Sequence, residues 1–174
     1  MTWLWVIFIV FLIFSFVVFI GSPYVPSQKK YIKQAFTKLY KITDSDVLVD
    51  IGSGDGVVLR EAAKLGARAY GYEINPLLIL ISRLLSLRYK KIKISLVDFW
   101  YIKIPVDTTV IYIFSVTRDI NNITKLLQKE IDRIKKPVYL ISYAGDFTKL
   151  KLIKKVGPYG LYLINPLQLD KAQV

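Results

Sequence analysis

The hydrophobic pattern changes character along the chain. From Trp3 to Ile20 every residue except Ser15 is apolar and none is charged. A helix over this run, at ~1.5 Å rise per residue, reaches about the 30 Å of bilayer hydrocarbon. No basic region precedes it and no A-x-A site follows, which predicts a retained transmembrane anchor rather than a cleaved signal peptide. Trp3 and Trp5 mark one interface and Tyr24 the other. Beyond it, Ile32, Ala35, Phe36 and Leu39 recur at helical spacing, with Ser27 as N-cap. Lys29, Lys30, Lys33, Lys38 and Lys41 are assigned to the other face, and Asp44 or Asp46 ends the helical region.

From Val47 short apolar runs alternate with amphipathic ones. Val47–Val49 reads as a buried strand, residues 57–65 as a helix stopped by Gly66, and residues 68–73 as a second strand. Asn75-Pro76 opens a helix over 77–85 that is apolar nearly all round, which predicts burial on more than one side, under the preceding helix or against the bilayer. Strands follow at 92–97, 110–114 and 137–143. Between the last two, Ile120, Ile123, Leu127, Ile131 and Ile134 mark a helix with Asp119 as its cap. Residues 151–155 and 159–164 flank Gly157-Pro158 as a closing antiparallel hairpin. Such alternation is α/β, with a mainly parallel seven-stranded sheet. The chain divides into an anchor (1–21), a juxtamembrane segment (22–46) and a globular domain (47–174).

Composition narrows the chemistry. The 174 residues include no cysteine and no histidine, which excludes disulfides, thiolate metal sites and Ser/His triads, and no metal is expected. The formal charge is +12. Lysines just beyond the apolar run place the globular part in the cytoplasm, with the N-terminus outside, and allow contact with lipid phosphates through and beside residues 3–20. They account for part of the charge. No DNA- or RNA-binding motif is present, so no nucleic-acid partner is expected.

Asp50-Ile51-Gly52-Ser53-Gly54-Asp55-Gly56 lies between the first strand and its helix. Glycine suits a turn with left-handed backbone angles and close ligand approach. In the dinucleotide fingerprint the third glycine would fall at position 57, where Val57 stands; here it is Gly56. The acid followed by alternate glycines resembles the S-adenosylmethionine loop of class I methyltransferases. A ligand-free tight turn and a different nucleotide are the competing readings.

Asp50, Glu73 and Asp98 each end a predicted strand, and ligands in such sheets bind at the carboxyl ends near the switch point. On the methyltransferase reading, Gly52 to Gly56, with Ser53, offer N–H groups to the carboxylate end of S-adenosylmethionine. Asp50 and Asp55 orient its amino group or the loop, and Glu73 accepts from the ribose hydroxyls. Asn75 belongs to the same set. Asp98 accepts from the adenine amino group, with Phe99 beside the ring. A lysine acceptor must be neutral, which desolvation achieves without histidine.

Gly21-Ser22-Pro23-Tyr24-Val25-Pro26-Ser27, the glycine loop, Gly71-Tyr72-Glu73-Ile74-Asn75-Pro76 and Asp98-Phe99-Trp100 together resemble a family of small protein-lysine methyltransferases. The resemblance spans roughly residues 21–165. Its eukaryotic members are anchored in mitochondrial membranes and act on the ATP synthase c-ring protein and the ADP/ATP carrier; archaeal relatives are soluble. It implies a Rossmann-like class I methyltransferase fold, S-adenosylmethionine as cofactor, and a protein substrate with an accessible lysine. It also implies that Pro23 and Tyr24 close over cofactor and lysine, and a mitochondrial membrane if the source is eukaryotic. Val57 stands where many relatives have Arg, and residues 115–119 match no family segment. A lipid or quinone acceptor and a non-catalytic membrane scaffold are the alternatives.

Overall fold

The computed structural model describes residues 3–9, 27–114 and 120–167. Residues 3–9 form a short exposed helix, α1. The remainder of the predicted anchor, Pro23, Tyr24 and Asp119 lie outside the described residues. Among the described residues no helix is long and apolar enough to cross a membrane.

The chain then runs through α2 (Lys29–Gln34), which continues as a π-helical turn over Ala35–Leu39, β1 (Val47–Ile51), α3 (Val57–Lys64), β2 (Arg68–Glu73) and α4 (Pro76–Ser86). β3 (Ile92–Leu96), a 3-10 turn over Phe99–Tyr101, β4 (Val110–Phe114) and α5 (Ile120–Ile134) follow. β5 (Val138–Tyr143), β6 (Lys151–Val156) and β7 (Tyr159–Ile164) complete the sheet. The seven strands lie in the order β3-β2-β1-β4-β5-β7-β6. The first five are parallel, and β7 pairs antiparallel with both β5 and β6. The order reverses between β1 and β4, both buried along nearly their whole length, as continuous apolar runs require of central parallel strands.

Two apolar layers hold the sheet. Ile32, Ala35, Phe36 and Leu39 join Val58, Leu59 and Ala62 against Leu48, Ala69 and Tyr112. On the other face Ile123, Leu127 and Ile131 of α5 pack with Val49, Ile111, Leu140 and Phe147. The juxtamembrane helix is thus part of the domain core. Asp46 fastens its end, accepting from Thr43 N (2.8 Å), the Tyr40 hydroxyl (2.8 Å) and Thr109 Oγ1 (2.7 Å).

Two expectations need correction. Ser27 is not the cap of α2; Gln28 takes that position and makes no side-chain cap bond. α4 is not buried on more than one side. It packs against β3 and β2, burying Ile79, Ser82 and Ser86, and leaves its leucines outside. The inner face is small because α4 passes close to the start of α3, where a Cβ on Gly56 would collide with Ser82 Oγ.

Candidate active site

The turn after β1 is built from left-handed glycines: Gly52 at φ 78°, Gly54 at 53° and Gly56 at 77°. An L side chain at such angles costs roughly 1–2 kcal/mol. Gly52 N and Ser53 N donate to the Tyr72 carbonyl at 2.9 and 3.0 Å, tying the turn to β2. Gly56 N closes it onto the Ser53 carbonyl at 2.8 Å. A Cβ on Gly52 would meet nothing within 4 Å, so that side of the turn faces open space.

Asp55 serves the turn itself. Its Oδ1 accepts from Val57 N at 3.2 Å, at the start of α3, where negative charge favours the helix dipole. Arg60, one turn along α3, donates to the Asp55 carbonyl (2.5 Å) and to Oδ2 (3.2 Å). Sequence reasoning missed Arg60; the only signal was a basic residue four positions beyond the last glycine.

Glu73 ends β2 and is buried. Its Oε2 accepts from Gly54 N at 2.8 Å, and its Oε1 from Ile74 N at 3.0 Å and Asn75 N at 2.9 Å. The carboxylate therefore bridges the glycine turn and the start of α4. Asn75 caps α4, its Oδ1 accepting from Leu77 N at 3.0 Å and Leu78 N at 3.3 Å.

Asp50 lies two residues before Gly52 and is 2% exposed. Burial, then the carboxylates of Glu73 and Asp55, hold its own carboxyl well above the usual range. Among the described residues no basic side chain pairs with Asp50 or Glu73. Ser53 packs against Gly71, with its Oγ buried and unpartnered. Asp98 caps the 3-10 turn through Trp100 N at 3.1 Å, and Phe99 tilts onto Trp100 with ring centroids 4.3 Å apart.

Across the switch point the strand ends are aromatic. Phe114 and Tyr143, the last residues of β4 and β5, stack at 4.8 Å with an 18° interplanar angle. Tyr159 meets Tyr143 edge-on at 5.0 Å, and its hydroxyl lies 3.4 Å from that of Tyr112, which is paired in register with Asp50. Burial pushes the Tyr112 hydroxyl well above its ordinary pKa. This wall was missed in the sequence, although Phe114 and Tyr143 both close apolar runs.

The chain superposes on an RNA methyltransferase from Salinibacter ruber in complex with S-adenosyl-L-homocysteine. The TM-score is 0.71 over 82% of this chain and 95% of that one, at 22% identity. The fold is the Rossmann-like methyltransferase fold. A dimethyladenosine transferase from Plasmodium falciparum shares it, with a TM-score of 0.65 over 86% of this chain and 66% of that one, at 16% identity. No protein-family model matches the chain.

In sequence it is 35% identical over 112 residues to the lysine N-methyltransferase of the ATP synthase c-ring protein from Xenopus laevis, covering 63% of this chain and 48% of the relative. The human protein of that name is 35% identical over 113 residues, covering 63% and 47%. Over that segment the chain is homologous to these lysine methyltransferases, as its motifs led us to expect. It spans about half the length of these curated relatives. A shorter match, 35% over 68 residues, links 39% of the chain to 24% of the ribosomal RNA small subunit methyltransferase A of Thermotoga maritima.

Proposed function

We propose that this protein is a membrane-tethered, S-adenosylmethionine-dependent methyltransferase whose acceptor is a lysine side chain of a membrane or membrane-associated protein. The observation that carries the reading is the left-handed glycine turn bonded through Gly54 N–H to the buried Glu73 carboxylate. Homology to lysine methyltransferases supports the acceptor class. The apolar run from Trp3 to Ile20 supports a tether with the N-terminus outside and the domain in the cytoplasm, or in a mitochondrial membrane in a eukaryote.

The residues present fit that cofactor. Open space beside Gly52 admits a ligand against the main chain, and the carboxylates of Asp50 and Glu73, without basic partners among the described residues, suit a cation. A carboxylate offers roughly four lone-pair positions. Three backbone donors occupy Glu73, so a ribose hydroxyl takes the remaining position or displaces the Gly54 N–H. Asp98 Oδ2 and the face of Phe99 are left for the base. When bound, S-adenosylmethionine supplies a methyl group on an already activated sulfonium, so the chain's task is orientation and exclusion of water. Phe114, Tyr143 and Tyr159 form an apolar wall against which an incoming lysine amine loses its hydration and is kept neutral. The proton leaves with the amine's conversion to the methylated product, and no histidine is needed.

The test is calorimetric titration of the full chain with S-adenosylmethionine, followed by incubation of membranes with methyl-labelled cofactor and location of the label by mass spectrometry. Binding and a labelled protein lysine support the reading. Absence of binding refutes it. Label in the lipid extract moves the acceptor to a lipid or quinone, and label in RNA to the substrate class of the ribosomal RNA relatives. Equal cellular activity of wild type and Glu73→Ala marks a non-catalytic scaffold.

A further inference from the structure

α4 carries its apolar surface on the wrong side for a helix that packs on a sheet. Ile79, Ser82 and Ser86 face inward. Leu77, Leu80, Ile81, Leu84 and Leu85 form an outward stripe at helical spacing, and Leu87 extends it; Leu84 is 58% and Leu87 79% exposed. α5 shows the ordinary arrangement, with Asn121, Asn122, Lys125 and Lys129 on its exposed side. Contiguous exposed apolar surface of this kind marks a contact site rather than chance.

The surrounding charge identifies what it contacts. From Pro76 to Val97 the chain has Arg83, Arg88, Lys90, Lys91 and Lys93 and no acidic residue, and all five cations are exposed. Two of them are held in place, Arg83 on the Ile94 carbonyl at 2.9 Å and Lys91 on the Gly66 carbonyl at 2.7 Å. Beyond the same edge strand, β3, Trp100 and Tyr101 are exposed. An apolar stripe bordered by cations of one sign, with Trp and Tyr nearby, is the composition of a helix lying in a lipid interface. A second copy would set five cations against five.

We propose that α4 lays its leucine face on an anionic lipid bilayer, independently of residues 3–20. Because α4 begins directly after Glu73 and Asn75, this docking holds the mouth of the crevice at the membrane surface, where a lysine near the interface of a membrane protein is in reach. The inference concerns placement and does not depend on methyl transfer.

The chain has no cysteine, so single labels are clean. Leu84→Cys, an exposed position, and Lys125→Cys on α5 are each labelled in the full chain with an environment-sensitive dye. Each is added to phosphatidylcholine vesicles with and without phosphatidylglycerol. The dye at 84 shifts to the blue and is quenched by acyl-chain nitroxide lipids, more strongly with phosphatidylglycerol, while the dye at 125 stays aqueous. Arg88→Glu with Lys90→Glu weakens the anionic preference by about tenfold. The proposal is overturned by an aqueous dye at 84 on vesicle-bound protein, or by no vesicle binding. It is equally overturned by a blue shift that appears without lipid as protein concentration rises, or only when a membrane protein is added. Calorimetric cofactor binding by the same labelled chain reports separately on the proposed function.

Discussion

Glu73 and Glu130 invite comparison because both are buried glutamates that accept backbone N–H groups. Glu130, on α5, takes the Ile104 N–H at 2.9 Å and is paired with Arg133 Nη2 at 2.7 Å. Arg133 also donates to the Ile104 carbonyl at 2.5 Å, so every strong group in that corner answers another. Glu73 takes three N–H groups but has no basic partner among the described residues, and the buried Asp50 lies near it, also unpaired. Burying a charge without a counter-charge is costly. The difference teaches which region is architecture and which is a site: α5 closes its electrostatics within the chain, and the crevice at the β1–β2 ends leaves negative charge for a cation to meet.

The largest effect separates these two carboxylates. Glu73→Ala is expected to weaken S-adenosylmethionine binding about a hundredfold, from the loss of two hydrogen bonds to a charged group. Titration calorimetry checks it, and an unchanged dissociation constant breaks the comparison. Glu130→Ala strands the Ile104 N–H and is expected to cost about 2 kcal/mol, lowering Tm by about 6 °C with cofactor affinity intact. Scanning calorimetry reads the first quantity and titration the second.

Asp50→Asn sharpens the argument through pH. The folded-state pKa of Asp50 is raised, so its contribution to stability is complete below the ordinary carboxylate pKa. That contribution is lost as pH climbs toward the folded pKa, because the unfolded chain releases the proton first. The variant is expected to flatten this decline, to be more stable than wild type at neutral pH, and to bind the cationic cofactor about tenfold more weakly, since one pKa-sized interaction is ~1.4 kcal/mol. Urea denaturation across pH tests the sign. The smallest effect lies across the switch point. Tyr143→Ala removes stacking worth about 1 kcal/mol and is expected to lower kcat/KM for a lysine acceptor about fivefold without changing cofactor affinity. Loss of cofactor affinity in this variant would place the aromatic wall on the wrong side of the reaction.

The strand ends were read from sequence to within a residue or two because a buried parallel strand must be an unbroken apolar run flanked by polar turns, as Val110–Phe114 shows. The glycine turn was equally visible, since only glycine takes φ near 78° without strain. α4 misled, because periodicity assumes that leucines face inward; Ser82 and Ser86 took the inner face where the backbone passes close to α3.

What the sequence determined by itself was local: which runs become strands, where a turn needs glycine, and which carboxylates end the strands. The tertiary structure decided what depends on residues distant in the chain. Only the fold brings Glu73 to Gly54, sets Arg133 beside Glu130 near Ile104, and gathers Phe114, Tyr143 and Tyr159 into one wall. Short-range pattern is fixed by backbone angles and hydrophobic period, whereas the pairing of charges and rings is set by strand order, which no local window contains.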